Sequence, residues 1–326
     1  MRSYKVDIEV FERMPVTRAV LVQSIPAIVA QLITLLYNWA DTFFLARLNK
    51  PELVAAATIV LPLYLMLTAI GNLPGVGGGS QFSNHLGKHD YTGAQRVASV
   101  SFWMGIMLAL ACSLLFPLCG DTLLSLIGAN ERTLEPAREY AYWVITVGGI
   151  PVIMNLVLAN LVRAEGMALQ ASTALSVGGL LNCVLDPILI LPSMGNMGIA
   201  GAGIATAVSN MVSVMWLLVV IYRHRQTGVL TFAPHLLRYA RHHIGSISKV
   251  GFPSSVQYML TVLAVAALTH FVAQYNTEAT AALGIVKRLD YLPLYFTIGL
   301  SQGILPLLAY NHSSGCLLYT SPSPRD

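Results

Sequence analysis

Charged residues are scarce in this sequence. Asp, Glu, Lys and Arg together make up 10% of the 326 residues, whereas 55% are hydrophobic. A soluble domain has about a quarter of its residues charged. The shortage excludes an ordinary water-soluble globular domain and indicates a chain that faces lipid over most of its length. The net charge of +4 is small, so we expect no nucleic-acid partner.

Cysteine is also rare, and the spacing of the cysteines indicates neither a metal site nor a redox site. The four cysteines are Cys112, Cys119, Cys183 and Cys316. They show neither metal-binding nor redox spacing, and three of the four lie in apolar runs. We therefore expect no disulfides and no cofactor of that kind. The first residues, MRSYKVDIEVFERMP, lack an apolar core, which argues against a cleavable signal peptide.

Long apolar runs fill most of the chain. A membrane-spanning helix needs about 20 apolar residues. Eight segments meet this requirement: Thr17–Leu45, Glu52–Phe82, Gln95–Cys119, Ala137–Leu161, Ala168–Met194, Ile199–Tyr222, Gly251–Gln274 and Thr280–Tyr310. We predict an all-α, polytopic integral membrane protein.

Within the second span, the run GNLPGVGGGS has small residues at the spacing of close helix packing. It lacks the Gly-Lys-Ser/Thr of a phosphate loop, which argues against nucleotide binding.

An internal repeat divides the predicted spans into two lobes. Pro26 and Asn49 have counterparts in Pro253 and Asn276, each 227 residues further on. This offset covers six helices, so both copies enter the membrane from the same side, a symmetry known from transporters. The second copy ends after two helices, and we therefore expect the native protein to continue with four more.

The repeat defines the predicted units of the chain. The tail SSGCLLYTSPSPRD is unrelated to the preceding sequence, and we interpret it as non-native, with a short disordered tail as the alternative. The units are a cytoplasmic N-terminal segment (1–14), a six-helix N-lobe (15–222), a cytoplasmic linker (223–250), the first two helices of a second, repeat-related lobe (251–311) and the tail (312–326).

Basic residues favour one side of the predicted membrane. With the N-terminus inside, the outer loops hold only four: Arg47, Lys50, Arg132 and Arg138. The inner segments hold Arg2, Lys5, Arg13, Arg18, Lys88, Arg96, Arg163, Arg223, Arg225, Arg238, Arg241 and Lys249. The positive-inside rule then predicts a cytoplasmic N-terminus. We expect a multi-pass monomer in the plasma (inner) membrane, in contact with its lipids.

Two carboxylates lie inside predicted spans, Asp41 in the first and Asp186 in the fifth. An ionised Asp at the bilayer centre costs about 2.5–3.5 kcal/mol on insertion scales, so such residues usually face a bundle interior or a wet cavity. Because both spans run outward and the sixth starts outside, Asp41, Asp186 and Thr206 share one depth. Asn182 lies one helical turn below Asp186 on the same face.

These four side chains predict a cation site. Their oxygens suit Na⁺, with Asp41, Asn182 and Asp186 as metal ligands, and paired carboxylates in apolar surroundings also suit a proton. The alternative is that each carboxylate only stabilises a neighbouring helix by hydrogen bonds. Further polar or kinking residues in the spans predict a substrate cavity, although each also suits ordinary helix packing: Pro26, Gln31, Tyr37, Asn38, Asn155 and Asn160.

Several motifs together resemble the multidrug and toxic compound extrusion family, MATE, over about residues 10–311. They occur in order: YNWADTFFLARL, GGGSQFSNHLGKHD, LVRAEGMALQAS, LNCVLDPILI, MGIAGAGIATAVSN and RLDYLPLYFTIGLSQGILPLLAYN. The resemblance implies twelve helices in two six-helix lobes and drug efflux driven by Na⁺ or H⁺ entry. It also implies a cation site at Asp41, Asn182, Asp186 and Thr206. Some relatives carry an acid in the seventh helix, where this sequence has Leu268 opposite Asp41.

We predict a secondary antiporter that exports small amphipathic organic cations in exchange for Na⁺ or H⁺. With two helices of the second lobe, the chain itself is expected to be transport-incompetent. One alternative is a lipid-linked oligosaccharide flippase, which would need cationic groups where the N-lobe offers carboxylates. A receptor would lack the long repeat. An intramembrane enzyme would need a Ser–His or Gly-x-Gly-Asp signature, and neither stands out, so we predict no enzymatic activity.

Overall fold

The computed structural model describes residues 9–315, and nearly all of them are helical. A π-helical turn, Glu9–Arg13, precedes the first long helix, and a 3₁₀ helix, Pro234–Tyr239, precedes the eighth. The α-helices are α1 (Val16–Ala46), α2 (Pro51–Gly87), α3 (Tyr91–Ile127), α4 (Leu134–Ala141), α5 (Gly149–Ala164), α6 (Ala168–Ile190), α7 (Gly198–His224), α8 (Ala240–Ala273) and α9 (Thr277–Ser313).

Seven helices are long and apolar enough to cross a membrane by length and composition, and an eighth crossing results if α4 and α5 form one bent span. After α4 the chain forms a π-helical turn, Tyr142–Val147, and the helix axis bends by 48° before α5. The predicted all-helical, multi-pass architecture is thereby confirmed. Residues 1–8 and 316–326, including most of the predicted tail, lie outside the described residues.

Local sequence signals account for the sharp turns between helices. Asp90 caps α3 by accepting a hydrogen bond from the Gly93 N–H at 2.9 Å, and Asn276 caps α9 through the Ala279 N–H at 2.6 Å. Side-chain caps of this kind satisfy backbone donors that a helix leaves unpaired. Gly128 ends α3 with a φ of 123°, a conformation that favours glycine. These turns keep consecutive helices antiparallel.

The glycine run of α2 packs as the sequence predicts. Gly75 and Gly79 lie against Asn160 of α5, and Gly77 lies against Ile247 and Gly251 of α8. One helix therefore contacts the rest of the N-lobe on one side and α8 on the other. Close backbone approach of this kind is how membrane helices gain packing energy without a hydrophobic driving force.

α8 begins at Ala240, earlier than the boundary at residue 251 that the sequence indicates for the second lobe. The part of the 223–250 segment that stays irregular is therefore short, and it is held by the N-lobe. Glu165, the residue after α5, is 3% exposed, and its Oε1 accepts hydrogen bonds from the backbone N–H groups of Val229 and Leu230, the latter at 3.1 Å.

Glu165 gives the fold a pH dependence. Burial raises the pKa of this carboxyl from 4.5 to about 7, and hydrogen bonds from Val229 and Leu230 and the nearby His224 offset part of the rise. Because the folded state binds the proton more tightly, this contribution to stability is complete below pH 4.5 and is lost as the pH rises through about 7. The amount is on the order of 3 kcal/mol.

We expect Glu165→Gln to raise the thermal unfolding temperature by a few degrees at pH 8 and to change little at pH 4.5. The glutamine keeps the oxygen that accepts both backbone hydrogen bonds, and it removes the buried charge. Thermal unfolding in detergent, followed at both pH values, measures this. Glu165→Ala serves as the control, since loss of the acceptor should destabilise the protein at both. An equal effect of Glu165→Gln at both pH values would contradict the prediction.

Candidate functional site

Three helices of the N-lobe, α1, α6 and α7, bring the predicted cation-site residues into one buried region. Asp41 lies on α1, Asn182 and Asp186 lie on α6, and Thr206 lies on α7. Their exposed fractions are 3%, 1%, 0% and 4%, respectively. Burial of two carboxylates within a set of apolar helices is costly unless the surroundings compensate for the charge, so this region differs chemically from ordinary helix packing.

Adjacent glycines on α6 set the distances between these helices. A Cβ on Gly178 would lie 1.9 Å from the Ser213 hydroxyl of α7, and a Cβ on Gly179 would lie 2.8 Å from Ile33 of α1. α6 is thus in near-backbone contact with α1 and α7 on two faces. One turn later along α6, Asn182 consequently reaches the space between all three helices.

The polar groups of the region are connected. The Asn182 side-chain N–H₂ faces the Thr206 hydroxyl at 3.5 Å, which links α6 to α7. Asp186 lies one turn beyond Asn182 on α6, and Asp41 lines the second of two small cavities together with Thr206. Together the four residues offer carboxylate, amide and hydroxyl oxygens, the hard donors that Na⁺ prefers and that also hold protons.

Two small cavities adjoin this cluster. The first, of about 40 Å³, is lined by Thr34, Tyr37, Asn155, Leu175, Gly178, Gly179, Asn182, Thr206, Ser209, Asn210 and Ser213. The second, of about 20 Å³, is lined by Tyr37, Asn38, Asp41, Ala57, Val60, Leu61, Tyr64, Tyr140 and Thr206. A water needs roughly 10–15 Å³ by this measure, so each cavity has room for at least one water.

The cavity walls favour cations over anions. Asp41 is the one charged residue among the described residues that line them, and the remaining polar groups are amides and hydroxyls. Thr206 and Tyr37 line both cavities, so the two spaces are separated by these side chains. A pyrophosphate-bearing substrate would need cationic partners, and these walls provide none within the part of the chain that the structure describes.

Three of the predicted substrate-cavity residues line these spaces. The Tyr37 hydroxyl lies 3.4 Å from that of Tyr64, on the wall shared by the two cavities. The Asn38 side chain donates to the Thr34 carbonyl at 2.7 Å. The Asn155 side chain donates to the Asn210 side-chain oxygen at 3.0 Å, which connects α5 to α7.

The other three predicted residues lie elsewhere. The Asn160 side chain donates to the Leu156 carbonyl at 2.8 Å and packs against the glycines of α2. Gln31 donates to the Gln302 side-chain oxygen at 3.0 Å and so joins α1 to α9. Pro26 is half-buried within α1. None of the three lines either cavity, and their surroundings are those of helix–helix contacts.

A polar face of α7 is absent from the sequence prediction. Ser209, Asn210 and Ser213 line the first cavity together with Thr206, and the Asn210 side chain donates to the Thr206 carbonyl at 2.9 Å. These residues follow Thr206 at intervals of three, four and seven, the spacing of one helical face. That periodicity in IATAVSNMVS is the signal that would have identified them.

Comparison with known proteins yields a consistent set of relatives. The family model described as MatE matches residues 26–188, half of the chain. The multidrug export protein MepA of Staphylococcus aureus (strain MRSA252) is 30% identical over 304 residues, which are 93% of this chain and 66% of that protein. MepA of Staphylococcus saprophyticus is 29% identical over 304 residues, with the same coverage.

The fold has solved counterparts as well. The structure described as the outward-facing conformation of a multidrug resistance MATE family transporter of the MOP superfamily superimposes with a TM-score of 0.85. It is 25% identical in sequence, and the match covers 98% of this chain and 69% of that one. The present chain spans just under two thirds of the length of the curated relatives.

Proposed function

Because the chain belongs to the MatE family, we propose that it is the larger part of a secondary transporter that exports small amphipathic organic cations. The relatives that it matches are named as multidrug export proteins or as a multidrug resistance transporter, and neither name denotes an enzyme. In this proposal the protein acts as a monomer, uses no cofactor, and is driven by entry of Na⁺ or H⁺.

One observation carries the proposal: Asp41 and Asp186 are buried in the N-lobe, and the two adjoining cavities, one of them lined by Asp41, present no cationic side chain among residues 9–315. Two carboxylates are stable in buried, apolar surroundings only when a bound cation compensates their negative charge or a bound proton removes it. Asn182 and Thr206 supply the neutral oxygens that would complete the coordination of Na⁺. The cluster therefore favours a cation-binding role over a merely structural one.

Coupling follows from where these groups are attached. Asp41 lies on α1 together with Pro26, which removes one backbone hydrogen bond and gives the helix a place to bend. Loading and unloading of the coupling ion changes the charge between α1 and α6. A bend of α1 would move Tyr37, change the shape of the two cavities that it lines, and so displace a bound organic cation.

Transport of a fluorescent cationic dye in everted vesicles tests the proposal. Na⁺ and proton gradients are imposed separately, and the complete native reading frame is compared with residues 1–311. We expect one gradient to drive export in the complete frame, and we expect α1–α9 without a full second lobe to bind dye but not to transport it. Absence of gradient-dependent transport in the complete frame would refute the proposed function.

We also propose that the N-terminus faces the cytoplasm in the plasma membrane, on the evidence of the basic residues at the end of the bundle where α1 begins. In a background without native cysteines, Lys88→Cys and Arg241→Cys should resist an impermeant maleimide applied to intact cells. Arg132→Cys, from the connection between α3 and α4, is the control and should react. Labelling of Lys88→Cys and Arg241→Cys but not of Arg132→Cys would indicate that the N-terminus faces outward.

A further inference from the structure

The segment that connects α7 to α8 is a strap attached to the N-lobe. The Trp103 indole N–H donates to the Phe232 carbonyl at 3.1 Å, and the Ser99 hydroxyl donates to the Ala233 carbonyl at 2.9 Å. The rings of Phe102 and Phe232 stack at 4.2 Å. Together with the two hydrogen bonds to Glu165, these contacts fix the inner side of residues 229–239, which we call the linker strap.

With α3 centred in a bilayer, the strap is attached near the boundary between the hydrocarbon core and the headgroups. α3, to which it is attached, has 37 residues and is therefore about 55 Å long. The hydrocarbon core is about 30 Å thick, so each end of α3 extends about 12 Å beyond it. The attachment points Ser99 and Trp103 lie about 12 and 18 Å from the start of α3, so Ser99 is at that boundary and Trp103 is about 6 Å inside it. Tryptophan is enriched at this depth in membrane proteins.

The strap and the start of α8 carry basic residues and no acidic ones of their own. The sequence contains no Asp or Glu from Pro187 to Thr277, whereas the strap and the start of α8 carry Arg238, Arg241 and Lys249. All three are exposed. Among residues 9–315, the ion pairs involve other side chains, so these cations have no carboxylate partner in the described part of the protein.

The exposed side of the strap is also apolar. Leu237 of the strap and Ile244 in the first turns of α8 are 37% and 43% exposed, and Arg238 and Arg241 lie between them in the sequence. The Arg238 guanidinium is exposed and lies 4.8 Å from the centre of the Tyr239 ring. A face that combines arginines with exposed aliphatic side chains is typical of protein surfaces that rest on anionic lipid.

We propose that this face, formed by Leu237, Arg238, Arg241 and Ile244, binds the headgroup phosphate of an acidic phospholipid. The two guanidinium groups donate to the phosphate oxygens, a geometry that arginine suits better than lysine. Leu237 and Ile244 contact the upper part of the acyl chains. Rigid attachment of the strap to α3 presents the arginines without a large ordering cost. The binding is independent of transport.

Lipid binding by the purified chain tests this inference. The protein in neutral detergent is titrated with phosphatidylglycerol or phosphatidylcholine, and binding is followed by native mass spectrometry and thermal unfolding. We expect phosphatidylglycerol to bind selectively and to stabilise the protein. In the Arg238→Gln, Arg241→Gln variant its apparent affinity should fall about thirtyfold, which corresponds to about 1 kcal/mol for each basic residue near the membrane surface.

Matched variants separate the possible outcomes. Arg132→Gln removes one exposed charge at the opposite end of the bundle and should leave phosphatidylglycerol binding unchanged. If the Arg238→Gln, Arg241→Gln variant is less stable than the wild type even with phosphatidylcholine, the Arg238→Lys, Arg241→Lys variant is measured in its place. This variant keeps both charges and should retain part of the affinity for phosphatidylglycerol. Unchanged phosphatidylglycerol affinity in the glutamine pair would overturn the proposal. So would equal stabilisation by inorganic phosphate, which would indicate a site for free anions.

Discussion

Gradient-driven export of a cationic dye is expected to fall to background when Asp41 and Asp186 are both replaced by asparagine. Asparagine keeps the shape of each side chain and removes the charge that a coupling ion must neutralise. Both side chains are buried, and Asp41 is the one carboxylate among the described residues that line the adjoining cavities, so we expect no other residue of these walls to take over the charge. Expression and unfolding temperature should not fall below the wild-type values, because removal of buried charge relieves a desolvation cost.

The measurement is dye transport in everted vesicles under separately imposed Na⁺ and proton gradients. Asn182→Ala should be milder, with export about fivefold slower, since it removes one neutral hydrogen-bonding group worth about 1 kcal/mol. Asp121→Asn is the matched control: Asp121 is exposed and pairs with Arg138 at 2.7 Å, and exposed pairs contribute little. Undiminished gradient-driven export in the double variant would rule this site out.

Replacing Gly251 with alanine is expected to disrupt the contact between α2 and α8. A Cβ at this position would lie 2.1 Å from the Leu73 carbonyl oxygen, and one on the facing Gly77 would lie 2.2 Å from the Ile247 carbonyl oxygen. Both obstacles are backbone atoms, which cannot rotate away, so a helix must move. Overpacking costs about 1–3 kcal/mol, and a backbone obstacle belongs at the upper end of that range or beyond it.

We expect the Gly251→Ala protein to unfold about 6–10 °C below the wild type when thermal unfolding is followed in detergent. Gly245→Ala provides the control in the same helix, because a Cβ there meets nothing within 4 Å. That change should leave stability unaltered or raise it slightly, since alanine favours the helix by about 1 kcal/mol over glycine. Equal unfolding temperatures for the two variants would show that the helices tolerate separation.

Depth in the membrane is predictable from sequence, because the direction of each span and a count of residues determine it. For that reason the sequence alone places Asp41, Asp186 and Thr206 at one level, although they lie on three helices far apart in the chain. That the apolar runs form helices is also predictable from sequence, because a bilayer requires spans of a certain length and allows no unpaired backbone groups.

Direction around a helix axis is much harder to predict. Asn155 and Asn160 lie on the same helix and are equivalent candidates in the sequence, yet five residues correspond to about 140° of rotation. Asn155 consequently faces Asn210 of α7, whereas Asn160 faces the glycines of α2. Which neighbour lies on which side is a tertiary property. The same holds for the bend before α5, where the sequence GGIP permits a break without fixing its angle.

The attachment of the linker strap also has a mechanical consequence. Because the chain is bonded to the N-lobe through Ala233 and Tyr239 lies against Arg96 at 3.8 Å, almost no free tether remains before α8 starts at Ala240. A long slack tether would let α8 and α9 translate or detach. A tether this short leaves the base of α8 as a pivot, so any movement of these two helices relative to the N-lobe is a rotation about a point at the membrane surface.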